Sequence, residues 1–167
     1  MLTENARLSE QGAIEVALSN TTPSSTSPRR FSMKGYSRCT IIITALNATT
    51  VTGSAITLKQ ATDIANVNSD EKALSFTKVW RNVDRGASNT LAEAAVASDT
   101  FTTDSTNSKE LEYQIEVKAE DLDVDNGFDC LRVGTGNAVA TTLSIVMIFW
   151  GARYGKVATA RLDPSAN

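Results

Sequence analysis

Glu110-Leu111-Glu112-Tyr113-Gln114-Ile115-Glu116-Val117-Lys118 is the stretch that decides the fold class. Leu111, Tyr113, Ile115 and Val117 take every second position, and the residues between them are charged or carry an amide. Successive side chains of an extended chain point to opposite faces, so this spacing makes one buried and one solvated face. A helix would scatter the same four residues around its cylinder.

The same period recurs on both sides of that stretch. Upstream, residues 32–46 predict a central strand, with Cys39, Ile41, Ile43 and Ala45 on one face and Thr40, Ile42, Thr44 and Leu46 on the other. Residues 55–60 alternate Ile56 and Leu58 with Thr57 and Lys59. Residues 73–81 form a further strand pattern, with Leu74, Phe76 and Trp80 expected on a shared face. Phe101 marks a short Thr-rich strand over 100–103. Downstream, 128–133 and 141–154 complete the series, the last being apolar on both faces. Polar loops at 47–53 and 62–72 and the turn Gly134-Thr135-Gly136-Asn137 separate these elements. Residues 84–98 admit two readings, because helix formers crowd Thr90 to Ala97 but a loop with a strand fragment fits equally. Elsewhere β-branched residues, which suit a pleated surface, are common. An all-β fold follows, a β-sandwich or jelly roll of about seven or eight strands.

Ahead of the body lies an alternating segment with Ile14, Val16 and Leu18 on one side. Residues 20–30 follow, Ser/Thr-rich and holding two of the three prolines, and they read as a linker. The expected organisation is an N-terminal arm and linker over 1–31, a β-sandwich domain over 32–155 and a polar tail over 156–167. The arm is expected to dock on the body or on a neighbouring subunit. Ile14, Val16 and Leu18 would supply its apolar contacts, and Arg29 and Arg30, read as exposed, would meet an acidic surface.

Composition narrows the chemistry. The 167 residues suit one domain. Histidine is absent, which removes the commonest general base and metal ligand at neutral pH. Net charge is −3, contrary to what a phosphate-binding face needs. The N-terminus shows no basic region followed by an apolar core, so no signal peptide is expected. The longest apolar run, 145–150, is far short of the about 20 residues that span a bilayer. Cys39 and Cys130 lie inside apolar patterns and read as buried small hydrophobes, with a disulfide as the alternative.

Few residues invite a chemical role. Asp121, Asp123 and Asp125 have the opening spacing of a calcium loop, but Asn126 stands where such a loop has glycine and Arg132 where it closes with glutamate. They are a weak metal candidate, and a solvated acidic turn is the simpler reading, since Asn126-Gly127 is a turn signal. Glu110, Glu112 and Glu116 share one strand face rather than flanking a cleft, so solubility accounts for them better than glycosidase chemistry. Trp80, Trp150, Tyr36 and Tyr154 read as core or interface anchors before they read as a sugar platform. No catalytic residue and no cofactor is expected.

Met33-Lys34-Gly35-Tyr36 leading into Thr40-Ile41-Ile42-Ile43, then residues 56–63, then Lys72-Ala73-Leu74-Ser75-Phe76, follow one another in a suggestive order. Tyr113-Gln114-Ile115-Glu116-Val117, Leu122-Asp123-Val124 with Gly127-Phe128, and Gly151-Ala152-Arg153-Tyr154 extend it. Together these stretches resemble the capsid decoration, or cement, proteins of tailed bacteriophages, across most of residues 33–154. The resemblance implies a β-rich accessory part of the phage head, made in the host cytoplasm and carried in the virion. Its implied partners are the major capsid protein and neighbouring copies of itself, as a homotrimer, with neither nucleic acid nor membrane. Residues 1–30 would then latch across subunit boundaries by strand addition. A tail-tube or head-tail connection protein is the alternative, although no long ring-building hairpin is evident. A ligand- or sugar-binding β module is the second.

Overall fold

In the computed structural model, which describes residues 8–24, 29–65, 70–152 and 164, the decisive stretch is a strand whose odd-numbered side chains are buried. Among the described residues eleven strands run in chain order: β1 (Ala13–Thr21), β2 (Arg30–Ser32), β3 (Tyr36–Asn47), β4 (Ala55–Ala61), β5 (Glu71–Ala73) and β6 (Phe76–Asn82) come first. β7 (Ala92–Ser98), β8 (Thr100–Thr102), β9 (Glu110–Lys118), β10 (Cys130–Thr135) and β11 (Thr141–Ala152) complete them. A single turn of helix, Leu8–Gln11, precedes β1, and short 3-10 turns at Ala119–Asp121 and Val124–Asn126 follow β9.

The pairings nest. β1 lies beside β11, β2 beside β10, β3 beside β9, and β4 beside β8, all antiparallel. One sheet, A, has the order β1-β11-β3-β9-β6-β7, and the other, B, has β2-β10-β4-β5 with β8 also on β4. A long antiparallel hairpin rolled over itself gives this order, which is the jelly-roll winding. The segment from β5 to β7 is an excursion from the hairpin tip. It returns to widen both sheets.

The structure therefore bears out the all-β, two-sheet expectation and selects the jelly roll. It bears out the short strand read around Phe101 and finds more strands than the sequence counted, because β2 and β5 have three residues each and carry too little alternation to be read, and β7 lies in the ambiguous 84–98 segment. The single strand expected over 32–46 is two. Gly35, with φ +85°, sits in a backbone region that favours glycine and turns the chain from β2 in sheet B to β3 in sheet A. The ambiguous 84–98 segment ends in strand β7, not a helix, because Lys78–Arg81 supply a pairing edge for 92–95. Leu74, Phe76 and Trp80 do not share a face as expected: Leu74 and Val79 are buried, and Trp80 is 42% exposed. The register with β7 slips between Phe76 and Lys78, with the extra residue on β7.

The core lies between the sheets. Ile41 and Ile43, Ile115, Leu143, Ile145 and Met147 of sheet A meet Phe31, Ile56, Leu58, Leu131 and Val133 of sheet B, all fully buried. Each such side chain stabilises the fold by about 1.5–3 kcal/mol. Phe31, Tyr36 and Phe149 close one end, with ring centroids 5.7–6.1 Å apart. Phe76, Phe101 and Tyr113 pack together as a second aromatic group, at 5.2–6.2 Å. Burial raises the Tyr113 hydroxyl above its usual range, and its oxygen accepts the Asp104 N–H at 2.7 Å.

Cys39 and Cys130 are buried and free, as the apolar pattern indicated. Burial pushes the Cys39 thiol up strongly, and burial followed by the Asp129 carboxylate pushes Cys130 up to about 12.

Candidate docking surface

The two outer faces of the sandwich carry the exposed apolar rows and the charged cluster. On sheet A, strand register aligns Ile14, Ile148 and Thr40 in one cross-strand row, and Val16, Val146 and Ile42 in the next. Ile14 and Val16 are 51% and 52% exposed, and Val146, Ile148 and Ile42 are half-buried. The rows form because β11 and β3 are apolar on both faces, so one set builds the core and the other faces out. Across β9 the rows turn polar, to Glu116 and Gln114. At one end Trp150 donates its ring N–H to the Thr40 hydroxyl at 2.9 Å, and the Arg38 guanidinium lies 5.4 Å from its ring centroid. Arg38 in turn sits 3.6 Å from Glu116.

β1 supplies the edge of this surface. Gly12 lets the chain enter tightly, since a Cβ there would sit 2.1 Å from the Phe149 carbonyl oxygen. β1 then pairs with its own β11 from Ala13↔Phe149 to Thr21↔Leu143. The segment read as an arm thus docks on its own body within this chain. A register shift after Val16 turns Leu18 inward against the core, opposite Ile145. Ile14, Val16 and Leu18 therefore do not share a face, because one bulged residue inverts the side-chain parity.

Sheet B is closed by charge instead. Arg132 of β10 is paired with both Arg30 of β2 and Lys59 of β4, a row of three cations on adjacent strands. Cations set directly opposite one another repel. Glu71 at the start of β5 resolves this: Arg30 Nε donates to its Oε1 at 2.9 Å, Arg132 to its Oε2 at 2.6 Å, and Lys59 lies 3.6 Å from it. Asp70 and Asp63 add carboxylates 3.0 and 3.4 Å from Arg30. Burial disfavours the Glu71 charge, but the hydrogen bonds from Arg132 and Arg30 outweigh it and hold the carboxyl below its usual range. A hydrogen bond from Thr62, opposed by burial and assisted by Arg30, does the same for Asp70.

Arg30 corrects the expectation of two exposed arginines. It is buried and committed to this internal network, so it presents no charge to a partner. The sequence placed it in a linker because the three-residue β2 was invisible and its acidic partners lie more than 30 positions away. Arg29 is exposed, with its guanidinium 5.3 Å from the Phe31 ring centroid.

The aspartates of the acidic turn do not converge. Asp121 accepts the Lys118 N–H at 2.8 Å, and Asp123 is engaged by the Lys72 ammonium and the Asn126 side-chain amide. The Lys72 bond, then the Asn126 bond, lowers the Asp123 carboxyl below its usual range. Asp125 is exposed. Among the described residues no group of three His, Cys, Asp or Glu side chains is placed to hold a metal ion. Of the aromatic candidates, Tyr36 is core, Trp150 and Trp80 flank the sheet A surface, and Tyr154 lies outside the described residues. The polar tail likewise lies outside them except Pro164, which is buried and whose carbonyl accepts the Ser32 N–H at 2.7 Å. No described helix is long and apolar enough to cross a membrane.

No protein-family model matches the chain, and no curated protein matches it. Among solved structures, the chain is similar to the SPBc2 prophage-derived protein YomS, at 12% identity and a TM-score of 0.46. The match covers 83% of this chain and 92% of that one. A likeness at this level decides neither fold nor role, and both rest on the chain's own residues.

Proposed function

We propose that this chain is a structural protein of a tailed-phage virion, a decoration or cement protein that binds the outside of the head and stabilises it by bridging subunits. The observation that carries this reading is the open apolar surface of sheet A, where Ile14, Val16, Val146, Ile148 and Ile42 lie side by side. Contiguous exposed apolar residues with a polar rim mark protein contact surfaces. The sequence resemblance of residues 33–154 supplies the kind of partner, the major capsid protein and further copies of this chain as a homotrimer. Fold alone does not assign the role, since jelly rolls serve many functions.

In this reading the contact is made by the face of β1, β11 and β3. A modest surface of this kind gains strength from repetition on a symmetric shell. β1 contributes its exposed side chains while its backbone stays paired within the chain. The reading involves no catalysis.

One feature supports the alternative of a tail-tube or head-tail connection role. β6 and β7 form a hairpin at one edge of sheet A, and β7 is a mostly exposed edge strand. Free edges of this kind can pair with a neighbouring subunit.

The test is to add the purified, labelled chain to particles lacking it and examine them by electron microscopy. Label over the head that is lost in Ile14→Ser/Val146→Ser supports decoration. Label on the tail or neck transfers the role to the alternative, and absence of label from every particle overturns both.

A further inference from the structure

Sheet A opens where the excursion rejoins it. β6 pairs with β9 only from Trp80↔Gln114 to Asn82↔Glu112. Continuing that register would set Lys78 beside Glu116, but β6 veers away toward Leu74, whose N–H donates to Leu58 of sheet B. A groove of about 480 Å³ is left between the strands. Its base is apolar, with Leu74 and Val117 buried, and its walls are polar, with Lys78, Glu116 and Asp121. Trp80 stands at its edge with 42% of its surface exposed.

We propose that this groove binds a neutral oligosaccharide, one sugar ring stacked on Trp80 and its hydroxyls bridged by the surrounding carboxylates and ammonium groups. The volume lies within the range of ordinary ligand sites. An exposed indole offers a flat apolar face with a polar N–H at its margin, which suits a ring with one C–H face and hydroxyls around it. The charges on the walls alternate in sign. Lys78 pairs with Glu93 at 3.0 Å and Lys118 with Glu120 at 3.1 Å, so no free cationic cluster awaits a phosphate. Exposed pairs of this kind are weak and exchange readily for hydroxyl partners.

A peptide strand fits less well. Asn47 N–H donates to the Lys109 carbonyl, which sets the odd-numbered residues of β9 to bond β3. Even-numbered Glu116 and Lys118 therefore turn their backbone groups toward the groove. The Lys118 N–H is already taken by the Asp121 carboxylate. On β9 an incoming strand would find an unbroken donor and acceptor pair only at Glu116, whereas strand addition depends on a ladder. The groove begins where the apolar rows end: Glu116 of its wall lies across from Thr40, and Gln114 stands between Ile42 and Trp80. The inference stands independently of the virion role.

The test uses the whole chain, titrated with maltotriose, cellotriose and tri-N-acetylchitotriose by calorimetry and tryptophan fluorescence, beside a glycan array. Binding of at least one sugar is expected, weakened at least about tenfold by Trp80→Ala, as loss of a stacking face implies. Trp150→Ala, which removes the chain's other tryptophan, should leave affinity unchanged. Circular dichroism confirms that both variants fold. Silence toward every sugar at millimolar concentration overturns the proposal. So does sugar binding that survives Trp80→Ala, or binding restricted to a phosphate compound or an extended peptide.

Discussion

The outer face of sheet A and the outer face of sheet B are built on strands of the same jelly roll and end in opposite states. On sheet A, adjacent strands oppose Ile to Ile and Val to Val, and the rows face outward. On sheet B, adjacent strands oppose Arg132 to Arg30 and to Lys59, an arrangement that repels until Glu71 reaches across it. The β4–β5 connection then brings Asp63 and Asp70 onto Arg30. Charge forced the chain to finish sheet B internally, because a buried cation without a counter-charge is costly. Apolar side chains impose no such demand, so sheet A is stable with its surface open. In the proposed docking role, the charged face serves the chain itself and the open apolar face is the one left for a partner.

The comparison breaks most sharply at Glu71. Glu71→Gln leaves Arg30 and Arg132 without their shared carboxylate. It should cost about 3–5 kcal/mol in chemical denaturation. An effect below about 1 kcal/mol would mean that water or a neighbouring carboxylate already neutralises the row.

Adjacent residues of β3 separate the inner and outer roles of sheet A. Ile41→Ala removes a fully buried side chain and should cost about 2–5 kcal/mol. Ile42→Ser, one position along, should cost less than about 1 kcal/mol while abolishing association with particles. If both changes act mainly on stability, sheet A has no free face.

Acid should act through sheet B. Glu71 and Asp70 have folded-state values below their ordinary 4.5 and 3.8. Their contribution is therefore complete above those ordinary values and is lost as pH falls through the lower, folded ones. Stability should decline as pH drops below about 4.5, with Glu71 protonating against the guanidiniums. The decline should be shallower in Glu71→Gln. An identical acid profile in the two proteins would remove the network from the explanation.

The smallest signal is chemical. Both thiols are buried and raised, so neither Cys39 nor Cys130 should react with iodoacetamide at pH 8 until the chain unfolds. Native-state labelling of Cys130 would show that the edge beside β2 opens.

Much of this was legible in the residues, for reasons that can be given element by element. β9 is long and alternates cleanly, so its extent and burial follow from period alone, whereas β11 is apolar on both faces and its buried side did not. Arg30 shows the limit. A three-residue strand carries no period, and whether its guanidinium is exposed depends on Glu71, which is 41 positions away. Leu18 shows another, since one extra residue after Val16 reverses the side-chain parity there. Trp80 was legible as a member of a sugar-platform alternative, but the groove beside it was not, because it arises from strands that part rather than from residues that cluster.

Alternation of apolar and polar residues determined by itself that the chain forms sheets, and the absence of histidine kept its expected chemistry sparse. Strand partners, bulges and the choice of open face were decided only in three dimensions. Side-chain direction is a local property of the backbone, whereas pairing and charge neutralisation depend on groups that the fold alone brings together.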